Sequence, residues 1–458
     1  MAKIKQPYLF SWEQVEASSD MDRLRLVLKV IPDEGLVRKL EEKRGKGRND
    51  YPIRAMWNAY IAGIVFGHRT QADLLRELRR NAELRYVCGF DPFLGSKAVP
   101  SESAFSRFIK RLCEHIDEVE EIFWELQKKL GEHLPDLGER LAIDSKALRS
   151  YGRRVKDPKK RQKRDGRRDI DADVGVKRYI ERRADGRVVE RKKKWFGYKL
   201  HLIVDSKYEL PLSYEVTKAS VSDTSQMKVL MEKLEKKNPK LVERSKVMTG
   251  DRGYDSRENI ELLYKRYGIA PVIDKRKMWK EKEETRVLKE EKVDQFVYDE
   301  GGVVYCICPE TGERREMVYY GYERGRGALK YRCPAAVYGI ECKGREECER
   351  QAERGVGRYG RVVRVPLSKD PRIFTPIPRG SRKWEREYKR RSAVERVNAR
   401  IDTLLGFERH TIRGQEKMKL RMGVSLVVML SMALGRIEIN DKEGMRSLVK
   451  PVKLKRAA

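Results

Sequence analysis

Three acidic residues stand where the sequence changes character. Asp144 closes the apolar start of RLAIDSKAL (140–148), Asp251 closes the run SKVMTGD (245–251), and Glu395 lies in the helical segment EYKRRSAVERVNARID. Carboxylates are the ligands that hard Mg2+ or Mn2+ prefer. Two such ions about 3.5–4 Å apart clamp the attacking and leaving oxygens of a phosphodiester. Taken singly, each position has a plainer reading: a strand-end Asp forms turns, and a helical Glu sits in solvent. Tyr388, Arg391 and Glu395 are spaced i, i+3, i+7 and share a helix face. Arg grips a phosphate bidentately and Tyr binds it through its hydroxyl. The alternative is a surface ion-pair row with Lys389, Arg390 and Arg396. In VMTGDRGYDS a second acid, Asp255, precedes the helix that starts at Ser256. Capping or a turn bond is the expected job there, so chemistry is assigned to Asp251 and structure to Asp255.

The elements that must position these groups alternate between strands and helices. Strand-like runs at 140–148, 198–205, 210–217, 245–251 and 269–274 are separated by helical segments at 222–237 and 256–268. That rhythm predicts an α/β core, whose functional groups gather beyond the strand ends. Ser222 or Asp223 caps the first of these helices, Gly268 closes the second, and Pro211 argues against full pairing where its strand begins. His201, on an alternating strand, is expected in the core. Before Glu139 the chain reads as helical, at 22–31, 51–66, 70–80 and 101–112, with Thr70 and Ser101 at N-cap positions. The apolar stretch 422–434 is too short to span a bilayer and reads as a core helix.

Composition narrows the partner. Lys and Arg number 103 against 71 Asp and Glu, a formal net charge of +32 over 458 residues. Such a field attracts polyanions, nucleic acid first. A surface rich in ion pairs, as in thermophiles, predicts many charges of both signs but not this imbalance. Ten Lys/Arg between Gly152 and Arg168 read as a mobile arm or loop on DNA backbone, Arg153, Arg154, Lys159, Lys160 and Arg161 among them; the alternative is a solvated charge run with no specific role. Seven cysteines and no secretory signal suggest a reducing cytoplasm, close to the nucleoid.

The ordered triad Asp144, Asp251, Glu395 resembles that of DDE transposases of bacterial or archaeal insertion sequences. Tyr388-x2-Arg391-x3-Glu395 is similar to the start of their Y-x2-R-x3-E-x6-K signature, with Asp402 where Lys is usual. AIDSK, GYKLH, LPLSYEVTKASVSDTS and GDRGYDS resemble core motifs, and YPIRAMWNAYIAGIVFG, ELRYVCGF and VPSESAFSRFIKRL resemble the preceding helical domain. The resemblance implies an RNase-H-like (retroviral-integrase-like) core binding two Mg2+ or Mn2+ ions at Asp144, Asp251 and Glu395. It implies metal-dependent cleavage at element ends and transfer of the 3′-hydroxyl into double-stranded target DNA, with two ends held by a homodimer. It puts Tyr388 and Arg391 on DNA and leaves the contact of the missing Lys to Arg396 or Arg400.

The expected division is a helical DNA-binding and dimerisation domain (1–135), the first core part (136–277) with a basic arm (152–195), an insertion (278–380), the last core part (381–440) and a basic tail (441–458). The insertion is expected to be β-rich and holds Cys306, Cys308, Cys333, Cys342 and Cys348. Four of these, Cys308, Cys333, Cys342 and Cys348, would suit Zn2+; the alternative is a set of small buried side chains. Cys88 and Cys113 are expected in the helical core. Tyr305, Tyr319, Tyr320, Tyr322 and Tyr331 either stack on bases or pack. Two rival functions remain: a transposase-derived DNA-binding protein or nuclease without transposition, and a zinc-ribbon nucleic-acid module with no chemistry.

Overall fold

The computed structural model describes residues 19–45, 50–91, 93–154, 168–182, 187–279, 283–288, 296–350 and 360–452; among the described residues seven α-helices precede the first strand. They are α1 (Ser19–Val30), α2 (Glu34–Arg44), α3 (Ile53–Val65), α4 (Gln71–Arg80), α5 (Ala82–Cys88), α6 (Glu102–Cys113) and α7 (Ile116–His133). Thr70 accepts the Asp73 N–H at 3.0 Å and Ser101 the Ala104 N–H at 3.2 Å, so both caps form as their residue types dictate.

The sheet follows: β1 (Arg140–Arg149), β2 (Asp173–Arg182), β3 (Val188–Asp205), β4 (Pro211–Lys218), then α8 (Asp223–Lys237), α9 (Pro239–Arg244), β5 (Val247–Gly250), α10 (Arg257–Glu261) and β6 (Ala270–Ile273). Across the sheet the order is β4–β3–β1–β5–β6, antiparallel among the first three and parallel from β1 to β6. β4 pairs on one side only, which tolerates the missing N–H of Pro211.

Four details differ from the sequence reading. Asp144, expected at a strand end, lies mid-strand, because β1 stays paired with β3 as far as Arg149. The basic segment expected as an arm is in part a ribbon, β2 paired with the first half of β3. Its charged residues hide the strand because much of the ribbon lies in solvent. The helix read at 256–268 is α10 followed by a π-helical turn, Leu262–Arg266. The helical segment bearing Glu395 is two helices that meet at Arg390 and Arg391.

The insertion forms two small sheets. One joins β7 (Arg286–Val287), β8 (Phe296–Tyr298), β9 (Val304–Ile307) and β10 (Arg314–Glu316); the other joins β11 (Val318–Glu323), β12 (Ala328–Arg332) and β13 (Val362–Pro366). Between β12 and β13 lie α11 (Pro334–Tyr338) and α12 (Arg345–Arg350). The insertion has its own core of Trp279, Tyr298, Leu329, Val365 and Phe374. The chain then returns through α13 (Arg382–Lys389), α14 (Ser392–Thr403) and α15 (Gln415–Glu438). α15 is long and apolar enough to cross a membrane, yet 89% of its most apolar window is buried within the protein.

Candidate active site

Asp144 and Asp251 are neighbours by register. Ala142 of β1 lies beside Thr249 of β5, so two residues on Asp144 stands beside Asp251. β5 is short and wholly buried, and it ends at Gly250. Asp251 therefore emerges as β1 continues past it. Its Oδ1 accepts the Gly253 N–H at 2.8 Å, fixing the carboxylate over a single 3-10 turn, Arg252–Tyr254. Asp144 Oδ1 accepts the Ser145 N–H at 2.8 Å. Burial, and then the charge of Asp251, raise the Asp144 carboxyl to about 6. Beneath them Tyr254 is fully buried. Burial and the charges of Asp223, Asp144 and Asp251 push its phenol far above its ordinary range.

Glu395 comes from α14, which packs against β1 and β3. α13 and α14 meet at Arg390 and Arg391, where the Arg391 N–H reaches back to the Tyr388 carbonyl at 2.9 Å. This tightened turn keeps Tyr388, Arg391 and Glu395 in one row. Arg391 binds Glu395 at 2.7 Å, and its charge also lowers the Asp144 carboxyl. Tyr388 is half-buried, stacked on Trp384 at 4.8 Å. The structure thus brings Asp144 and Asp251 side by side and ties Glu395, 52% exposed, to Arg391.

The donor set suits a hard divalent ion. It is all carboxylate. A side chain at Gly253 would place its Cβ 2.8 Å from Asp251 Oδ1, so the glycine leaves a cradle beside that oxygen. Adjacent like charges oppose one another's ionisation, and a cation removes the conflict. Among the described residues no three His, Cys, Asp or Glu side chains stand as a formed metal group. Side-chain rotation, of Glu395 above all, is therefore part of any such assignment.

The remaining assigned residues separate clearly. Arg153 and Arg154 are exposed, whereas Lys159, Lys160 and Arg161 lie outside the described residues. Arg396 and Arg400, the suggested replacements for the missing Lys, are instead bound to Glu209 at 2.7 and 3.0 Å. Asp402 pairs with Lys146, so a cation near Asp144 comes from β1 rather than from α14. Asp255 is buried and accepts the Arg276 N–H at 2.7 Å and the Arg372 guanidinium; the cap of α10 is Ser256. It ties the insertion's end to the core. His201 is fully buried, and desolvation lowers its imidazole to about 4.

Cys306, Cys308, Cys333, Cys342 and Cys348 line one cavity of about 40 Å3. All five carry free thiols. The Thr311 side chain and backbone N–H groups of Thr311, Glu310 and Gly344 lower the Cys308 thiol to about 7. Burial and neighbouring cysteines raise Cys306 to about 11. Cys88 is wholly buried and Cys113 partly so. Tyr331 packs against Tyr319 at 5.8 Å, whereas Tyr320 is exposed beside Lys330 and Arg332.

Sequence reasoning missed Asp223, Lys146 and Glu209. Asp223 was legible only as a helix cap; Ser222 takes the N-cap position, and the Asp223 side chain meets Lys199 at 2.9 Å.

No curated protein matches the chain. Among solved structures, the piggyBac transposase synaptic complex with hairpin DNA is similar over 96% of this chain and 80% of that one, at 12% identity and a TM-score of 0.36, too distant to argue from. The profile of a transposase domain of the DUF772 type matches residues 12–111. That of the transposase DDE domain matches residues 137–430, more than half of the chain. The chain therefore belongs to the transposase DDE domain family: it is a DNA transposase, an enzyme of DNA cleavage and strand transfer.

Proposed function

We propose that this transposase cuts double-stranded DNA at its element's ends and joins the freed 3′-hydroxyls to target DNA, with Asp144, Asp251 and Glu395 as its catalytic carboxylates. One observation carries the reading: carboxylates from adjacent parallel strands lie side by side, and the charge of one hinders ionisation of the other. The mixed six-stranded sheet, antiparallel from β4 through β3 to β1 and parallel from β1 to β6, supports an RNase-H-like core. Two ions, Mg2+ or Mn2+, bound by these residues would supply the Lewis acidity that activates the attacking oxygen and stabilises the leaving one. Arg391, beside Glu395 and within reach of Asp144's charge, meets the scissile phosphate. Tyr388 holds the strand beside it. In hydrolysis a water oxygen bonds to phosphorus as the P–O3′ bond breaks, leaving a 3′-hydroxyl and a 5′-phosphate. In transfer that 3′-oxygen bonds to a target phosphorus as the target's own 3′-oxygen leaves and takes up a proton, the attacking hydroxyl's proton passing to solvent. Neither step needs a covalent bond to protein.

Arg153, Arg154 and the segment with Lys159, Lys160 and Arg161 take backbone phosphates, and residues 1–135 read the ends and pair two chains as a homodimer. Residues 136–277 and 381–440 form the core, and 278–380 form an insertion that binds Zn2+ through Cys308, Cys333, Cys342 and Cys348. Convergence of these thiols on one cavity supports that assignment. The work is done in the cytoplasm, at the nucleoid. The test is Mg2+-dependent cleavage of DNA carrying the element's end: Asp251→Asn reduces it to background, and retained cleavage overturns the proposal.

A further inference from the structure

Asp223 is the first residue of α8, directly after the N-cap Ser222, whose side chain makes no capping bond. Its Oδ1 accepts Lys199 Nζ at 2.9 Å, and the same ammonium donates to the Val221 carbonyl at 2.8 Å. Its Oδ2 faces the turn after Asp251. A Cβ at Gly253 would lie 2.8 Å from Asp251 Oδ1 and 3.3 Å from Asp223 Oδ2, so the two oxygens flank one space that only glycine leaves open. The Thr224 hydroxyl donates to the Gly253 carbonyl at 2.7 Å and holds the start of α8 against that turn.

A second side chain points to a ligand here. His201 is fully buried, and its Nδ1 has no hydrogen-bond partner among the described residues. Its Nε2 meets Thr217 Oγ1 at 2.9 Å, and the Thr217 hydroxyl spends its single proton on the Lys218 carbonyl at 3.1 Å. Nε2 is therefore the protonated nitrogen, and Nδ1 presents a bare lone pair 3.7 Å from Asp223 Oδ1. The buried Nδ1 lone pair requires a donor, and Asp223 Oδ1, partly exposed and already bonded to Lys199, supplies none. A water held by a cation supplies such a donor.

We infer that Asp223 is a fourth carboxylate of the active site, a positioning residue that holds the hydration shell of the divalent ion at Asp251. Lys199 and His201 set its orientation. Mg2+ gives up its waters reluctantly and keeps several when bound. Carboxylates that grip those waters tune affinity as outer partners of metal sites do. The inference rests on the metal reading above, and its test separates the two.

Full-length protein stripped of metal is titrated calorimetrically with Mn2+, with melting in EDTA as the control for folding. Asp223→Asn melts as wild type does and binds Mn2+ about 10–100-fold more weakly. Asp251→Asn loses the binding altogether. Wild-type affinity in Asp223→Asn, beside loss in Asp251→Asn, overturns the role of Asp223 alone. Wild-type affinity in both overturns the metal reading itself. Should Asp223→Asn not fold, Asp223→Ser, a residue that suits a helix start, decides by the same comparison.

Discussion

At the scale of single residues, the site holds charge where the fold disfavours it. Asp144 is 9% exposed, and its carboxyl titrates near 6 rather than in the ordinary range near 4. Between those values the folded chain keeps a proton that the unfolded chain has lost. Stability therefore falls as pH rises from about 4 to about 6, and the full cost, about 2–3 kcal/mol, persists above. Asp144→Asn removes the charge and keeps the shape. Calorimetry in EDTA at pH 7.5, a value chosen well above about 6, should find the variant melting higher than wild type, while it cleaves no DNA. An unchanged or lower melting temperature would show that the charge is not destabilising. The neighbouring of Asp144 and Asp251 marks how far sequence reasoning reaches. That these two would meet was legible because each interrupts an apolar run. Asp223 was not, since its partners Lys199 and Gly253 lie 24 and 30 positions away and no spacing rule links them.

At the scale of elements, α14 is held in place by one buried acid. Glu209 has a left-handed backbone, φ 56°, and is 5% exposed. It accepts Arg396 at 2.7 Å, Arg400 at 3.0 Å and Arg446 at 3.3 Å. Sequence alone offers Arg396 and Arg400 to DNA, because a basic helix in a basic chain shows no partner within a few turns. The partner is on the loop between β3 and β4, visible only once the sheet has formed. Glu209→Ala leaves Arg400, 13% exposed, without its acid. Removing one member of a buried pair costs about 3–5 kcal/mol, read as a lower denaturant midpoint. A loss under about 1 kcal/mol would mean the three arginines are solvated and the clasp is weak. The insertion is a second element with a clear test. Converging thiols, one lowered to about 7, favour thiolate ligation. Metal analysis of protein purified without chelator should find one zinc per chain. Cys333→Ser together with Cys342→Ser should abolish it, and a metal-free wild type would return these cysteines to packing.

At the scale of the whole molecule, one core joins what the sequence divides. Buried side chains run without interruption from Met21 in α1, through the sheet, to Val452. α15 is the reason: it packs against α1, α3, α6 and α7 on the helical side and against β4 on the other. Its sequence is apolar nearly all round, as a helix enclosed on every side must be. That much was legible in residues 422–434; which elements enclose it was not, because the pattern records burial and not the identity of neighbours. A fragment starting at residue 136 keeps the carboxylates but strips four helices from α15. Met422, Leu426, Met429 and Leu430, each 2% exposed or less, are among the buried side chains of that helix. An exposed apolar face of that length drives association. The fragment should be insoluble, or bind a hydrophobic dye and melt without cooperativity, whereas the full chain melts as a cooperative unit. If it instead stays soluble, monomeric and cooperative, α15 can be satisfied by the sheet alone, and the helical region is an accessory rather than half of the core.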